Sequence, residues 1–180
     1  MAEAPLVHIV DDDASVRDSL MVLLESAGYA VRAYDSAVAF LQAASDRTAG
    51  CVLTDVQMPE LNGLELQRRM SEQGIRLPVI VMTGHGDVPI AVEAMKAGAA
   101  DFLEKPFDDE QLLTAVTSAI EVSQRVRDEA AAVADTMRRL ATLTPREREV
   151  LGHLVAGQPN KTIAYDLGSS PRTEIGRAHV

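Results

Sequence analysis

Short apolar runs alternate with amphipathic stretches through the first two-thirds of the chain. Leu6–Val10, Ala30–Tyr34, Cys51–Thr54, Pro78–Thr83 and Asp101–Lys105 read as strands of four to six residues. Cys51-Val52-Leu53 and Val79-Ile80-Val81-Met82 show no polar alternation, the pattern of strands covered on both faces of a parallel sheet. Helical periods lie between them. Val16, Leu20, Leu23, Leu24 and Ala27 form one stripe, stopped by Gly28, and similar stretches cover Ser36–Ala44, Leu64–Gln73 and Pro89–Ala97, the last closed by Gly98. Five strand–helix repeats predict an α/β domain with a five-stranded, parallel, doubly wound (flavodoxin-like) sheet and right-handed crossovers.

The fifth helix starts after Pro106-Phe107-Asp108 and meets no stop until about Leu140. Its second half is rich in Ala, Arg, Glu and Asp, so Gln124–Thr142 reads as a helical linker, with a coiled coil as the alternative. Thr144-Pro145-Arg146-Glu147 then supplies an N-cap, a proline at the first helical position and a glutamate at the third, the capping-box arrangement. That helix presents Val150, Leu151, Leu154 and Val155 and stops at Gly157. A second spans Lys161–Leu167 before Gly168, and a third starts at Ser170-Pro171, the outline of a partial all-α helix-turn-helix domain. The expected division is 1–123, 124–142 and 143–173, with 174–180 set apart.

Composition narrows the class. Of 180 residues, 47% are hydrophobic and 24% charged, enough to bury a core without a staple. The lone cysteine, Cys51, allows no internal disulfide, the N-terminus has no basic segment before an apolar stretch, and no apolar run approaches the ~20 residues of a membrane helix. A soluble, cytoplasmic protein without a membrane partner is expected. The net charge of −10 is uneven: residues 1–124 carry 20 acids against 8 bases, whereas 125–180 carry 7 against 9. The acidic front is a poor holder of polyanions; the slightly basic remainder permits nucleic-acid binding without demanding it.

Asp11 and Asp12 follow the first expected strand, Asp55 the third, while Thr83 ends the fourth and Lys105 the fifth. In a parallel sheet these positions open on one edge, where ligands bind. Three carboxylates and one ammonium repel unless a cation joins them, and Mg²⁺, a hard dication with oxygen ligands, fits that requirement. The neutralised cluster can then accept a phosphoryl group, with Asp55 as nucleophile, Lys105 against the developing charge and Thr83 donating a hydrogen bond. Singly, each residue has a plainer reading: Asp13 is a helix cap, Phe102 a core residue, Cys51 a small buried strand residue. His8 and His153 lack partners at metal-ligand spacing, and Gly84-His85-Gly86 lacks the lysine of a phosphate loop.

Val7-His8-Ile9-Val10-Asp11-Asp12-Asp13, Leu53-Thr54-Asp55-Val56-Gln57-Met58-Pro59, Val81-Met82-Thr83-Gly84-His85-Gly86-Asp87 and Phe102-Leu103-Glu104-Lys105-Pro106-Phe107 resemble the receiver domain of two-component response regulators. Leu143-Thr144-Pro145-Arg146-Glu147-Arg148-Glu149-Val150-Leu151 and Asn160-Lys161-Thr162-Ile163-Ala164-Tyr165-Asp166-Leu167 resemble the LuxR-type helix-turn-helix that forms the output of the FixJ-type branch. The resemblance implies a phosphoacceptor at Asp55, serving a sensor histidine kinase rather than acting as a turnover enzyme. It implies Mg²⁺ held by Asp11, Asp12, Asp55 and the Gln57 backbone carbonyl, and a switch made of Thr83, Phe102 and Lys105. It further implies homodimerisation through the fourth helix and fifth strand upon phosphorylation, and control of transcription at an operator.

On that resemblance, Ser170 caps the recognition helix, Arg172 and Thr173 face DNA, and Lys161 reaches a phosphate. After Thr173 the pattern stops. Glu174-Ile175-Gly176-Arg177-Ala178-His179-Val180 looks like a translated sequencing adapter, so a C-terminally truncated chain with a non-native tail is expected, one that binds its operator poorly. If Val180 is instead the natural end, a phosphorylation-gated interaction protein without DNA output is the alternative. A haloacid-dehalogenase-like phosphohydrolase needs a second acid two residues beyond the nucleophile, where this chain has Gln57.

Overall fold

In the computed structural model, residues 4–44, 49–84 and 86–157 are described. Their elements alternate as expected: β1 (Leu6–Val10), α1 (Ala14–Ser26), β2 (Ala30–Tyr34), α2 (Ala37–Ala43), β3 (Gly50–Asp55), α3 (Gly63–Glu72), β4 (Val79–Thr83), α4 (Val88–Lys96), β5 (Asp101–Glu104), α5 (Asp109–Ala141) and α6 (Pro145–Val155). The strands form one parallel sheet in the order β2-β1-β3-β4-β5.

The apolar runs work because β1, β3 and β4 each feed two cores. Val7, Ile9, Cys51, Leu53, Ile80 and Met82 pack on one face with Leu20 and Leu24 of α1 and Leu112 and Val116 of α5. Val10, Val52, Val79 and Val81 alternate to the other face, against Phe40 of α2, Leu66 and Met70 of α3 and Ala94 of α4. Burial at this period of two specifies register, since a one-residue slip would exchange the faces. His8 joins the second face. Its ring stacks on Tyr34 and meets Phe40 edge-on, with centroids 5.9 and 5.3 Å away, and its Nδ1 lies 3.2 Å from the Tyr34 hydroxyl. Burial, helped by the Arg32 charge, lowers the His8 pKa to about 4.

Local signals fix the helix starts. Asp13 caps α1 by accepting the Ser15 N–H at 2.8 Å, Ser36 caps α2, and Asn62 with Glu65 forms a capping box on α3. The chain divides into two compact units, 1–128 and 129–180. Within the first, α5 buries Leu112, Ala115, Val116, Ala119 and Ser123. In the second, Thr144 and Glu147 form the expected capping box on α6. Val150 is buried there, but Val155 is 81% exposed and drops out of the expected apolar stripe. The expected helices at Lys161–Leu167 and from Ser170, the truncation point and the 174–180 tail lie outside the described residues.

Candidate functional site

Strand order decides where a ligand can sit. The chain leaves β1 toward β2 on one side and returns to β3 on the other, so a crevice opens outside the carboxyl ends of β1 and β3. Asp11 and Asp12 directly follow β1, and Asp55 is the last residue of β3. One carboxylate oxygen from each lies within 4.8 Å of the other two.

The three acids have unequal surroundings. Asp11 is buried: its Oδ1 accepts the Asp13 N–H at 2.9 Å, while its Oδ2 has no hydrogen-bond partner. Asp12 is exposed and Asp55 half-buried. Lys105, just beyond β5, places Nζ 3.5 Å from both Asp11 Oδ2 and Asp55 Oδ1. Burial pushes the Asp55 carboxyl above its ordinary range; Lys105 opposes this, while the Asp11 and Asp12 charges add to it. One ammonium is too little counter-charge for three acids. An all-oxygen donor set, with a buried carboxylate oxygen that accepts no hydrogen bond among the described residues, suits a hard dication, so the residues present fit Mg²⁺.

Gly63 lets the start of α3 press against this edge: a Cβ there would stand 2.6 Å from the Asp55 carbonyl oxygen. Thr83, at the end of β4, is buried, and among the described residues its hydroxyl makes a long 3.5 Å bond to the Leu103 carbonyl. The Lys105 N–H donates to the Thr83 carbonyl at 2.8 Å, tying β4 to the lysine loop, and the Lys105–Pro106 peptide is cis.

The structure thus gathers Asp11, Asp12, Asp55 and Lys105, and sets Thr83 on the same edge. Gln57 lies in the exposed loop beyond Asp55. The plain reading of Phe102 as core is corrected: it is 41% exposed, because β5 is an edge strand and only Leu103 of its residues is buried. Phe102 instead lines a groove of about 370 Å³ with Val88, Val92 and Met95 of α4. Cys51 fits its plain reading; burial pushes its thiol up to about 12, so it supplies no thiolate. Lys161, Ser170, Arg172 and Thr173 lie outside the described residues. Arg17, which belongs to none of the motifs above, donates from Nη1 to the Asp11 carbonyl at 2.7 Å. No sequence signal marks it, since the contact depends on the loop between β1 and α1 folding back.

Among the described residues no helix is long and apolar enough to cross a membrane. Residues 7–117 match the response regulator receiver domain family, and 141–173 match the bacterial regulatory proteins of the luxR family. The chain is 54% identical to the transcriptional regulatory protein FixJ of Azorhizobium caulinodans, covering 100% of this chain and 86% of that protein. It is 39% identical to the response regulator protein TodT of Pseudomonas putida, covering 94% and 75%. Among solved structures, full-length FixJ from B. japonicum is 48% identical, with a TM-score of 0.66 over 99% of this chain and 88% of that one. The response regulator StyR is 37% identical, with a TM-score of 0.87 over 98% and 89%.

Proposed function

The chain belongs to the response regulators, with a receiver domain and a LuxR-family segment that serve phosphorelay-controlled transcription, and from that premise we propose that Asp55 is the group phosphorylated. Its carboxylate attacks phosphorus on a phosphohistidine of a sensor histidine kinase; the O–P bond forms, the P–N bond breaks and the imidazole leaves. Asp11, Asp12 and Asp55, with the Gln57 carbonyl, would hold Mg²⁺, which would supply positive charge beside an anionic phosphoryl group. The observation that carries this reading is the buried Asp11 Oδ2, which accepts no hydrogen bond among the described residues and faces, at 3.5 Å, a Lys105 ammonium that it shares with Asp55. The protein is an acceptor with a finite phosphorylated lifetime rather than a turnover catalyst, and it works in the cytoplasm.

Lys105 and Thr83 complete the response. Lys105 turns from two carboxylates to a phosphoryl oxygen, and the Thr83 hydroxyl gives up its long bond to Leu103 for another. The loops after β4 and β5 close inward, and Phe102 changes rotamer against α4. The apolar groove of Val88, Val92, Met95 and Phe102 is the face on which two phosphorylated copies pair. Residues 1–123 act as receiver, 124–142 as linker and 143–173 as the DNA-binding segment, with Lys161, Ser170, Arg172 and Thr173 at the DNA.

The test is labelling by a phosphorylated histidine kinase with and without Mg²⁺. Wild type is expected to take up label only with the metal, and Asp55→Asn to lose it entirely. Labelling of Asp55→Asn at the wild-type rate would overturn the assignment.

A further inference from the structure

The loop between β1 and α1 carries two of the three acids, and its conformation rests on few bonds. The Asp13 N–H holds Asp11 Oδ1, the Ser15 N–H holds Asp13 Oδ1, and Arg17 Nη1 holds the Asp11 carbonyl at 2.7 Å. The first two are short-range turn contacts that many acidic loops make. The third is a charged side chain, half-buried, that reaches back six residues to a backbone oxygen.

Its placement is electrostatically awkward. Arg17 is the fourth residue of α1, near the end of the helix where the peptide dipoles favour anions. It makes no ion pair among the described residues; its side-chain hydrogen bond goes to the neutral carbonyl of a residue whose own carboxylate belongs to the acidic cluster. A cation that only balanced charge would pair with a carboxylate. A cation bonded to the peptide of Asp11 fixes the direction in which that residue's side chain leaves the strand. With Oδ1 already taken by the Asp13 N–H, this direction decides whether Oδ2, which accepts no hydrogen bond among the described residues, points toward Asp55 and the Lys105 ammonium.

We infer that Arg17 is a positioning residue for the Mg²⁺ site: through its bond to the Asp11 carbonyl it orients Asp11 Oδ2 toward the cation without touching it. The inference rests on the functional reading above, in which Asp11 is a metal ligand. Partners one step removed from a metal commonly change its affinity by 10- to 100-fold when lost. The sign of the effect separates positioning from simple charge, because removing a positive neighbour would by itself tighten binding of a dication.

The experiment is calorimetric titration of the full chain with MgCl₂ for wild type, Arg17→Met and Arg17→Lys. Methionine keeps the helix propensity and the apolar stem, so the fold is expected to survive; amide NMR spectra would check this and report the Asp13 N–H directly. Arg17→Met is expected to bind Mg²⁺ about tenfold more weakly with the Asp13 amide resonance shifted, and Arg17→Lys, which keeps a charged donor, to recover most of the loss. Equal or tighter binding by Arg17→Met overturns the inference, as does a lysine variant as weak as the methionine one, which would assign the effect to packing. A wild-type chain that binds no Mg²⁺ would overturn the functional reading itself and this inference with it.

Discussion

His8 lies in the middle of β1 and Asp11 one residue past its end, and among the described residues both leave one polar atom buried without a hydrogen bond, Nε2 in the first and Oδ2 in the second. Their surroundings treat the problem in opposite ways. The histidine can shed its charge: enclosed by Tyr34 and Phe40, it is neutral at pH 7 and behaves as an aromatic core residue with a hydroxyl contact. The acid stands with Asp12 and Asp55 within 4.8 Å, and a single ammonium serves the group. A buried group that can become neutral becomes part of the packing; a group of like charges with too little counter-charge becomes a place for a ligand.

The largest effect should come from removing what makes His8 comfortable. Phe40 is fully buried and touches both rings, so Phe40→Ala should lower stability by about 3–5 kcal/mol in urea unfolding, the usual range for deleting a buried aromatic. A loss under 1 kcal/mol would mean that the cluster contributes little.

Recharging His8 should come next. Its folded pKa of about 4 is below the ordinary 6.5, so the unfolded chain takes the proton first. Stability is therefore full above pH 6.5, falls as pH drops toward 4 and levels off below it, with a total loss on the order of 3 kcal/mol. His8→Leu, apolar and of similar bulk, should flatten this part of the stability curve. An unchanged slope in the variant would assign the acid sensitivity to other groups.

The smallest effect belongs to the crevice and has the opposite sense. The folded Asp55 carboxyl holds its proton to higher pH than the unfolded one, so its ionisation subtracts stability at neutral pH and subtracts none below the ordinary carboxylate range. Without Mg²⁺, Asp55→Asn should melt slightly above wild type at pH 7 and level with it in acid. Added Mg²⁺ should close the gap by stabilising wild type alone. A neutral-pH melting temperature below that of wild type would mean that the crevice is not strained by its charges.

What the sequence made legible follows from range. Runs such as Val79–Met82 declare a strand covered on both faces, and Thr144 with Glu147 declares a helix start, because both signals are local. Asp11, Asp55 and Lys105 could be placed together because a parallel sheet puts all strand ends on one edge, whatever the loops do. Phe102 defeated the plain reading because hydrophobicity does not tell an edge strand from a central one. The His8–Tyr34 contact spans 26 residues and depends on register. Arg17 was invisible because its partner is a backbone oxygen, which every residue possesses.

The sheet order also sets a gradient in how readily parts of the site open. β1 is hydrogen-bonded on both sides, to β2 and β3, whereas β5 is bonded only to β4. In hydrogen-exchange terms, amides of β1 and β3 should exchange only when the whole unit unfolds, and those of Phe102 to Lys105 through cheaper local fraying. The nucleophile and the buried acid thus sit at the ends of strands expected to exchange slowly, and the lysine and the aromatic ring at an edge of the same sheet expected to exchange faster. A signal that must fix one end of a reaction while moving the other starts from a sheet already graded from rigid to loose.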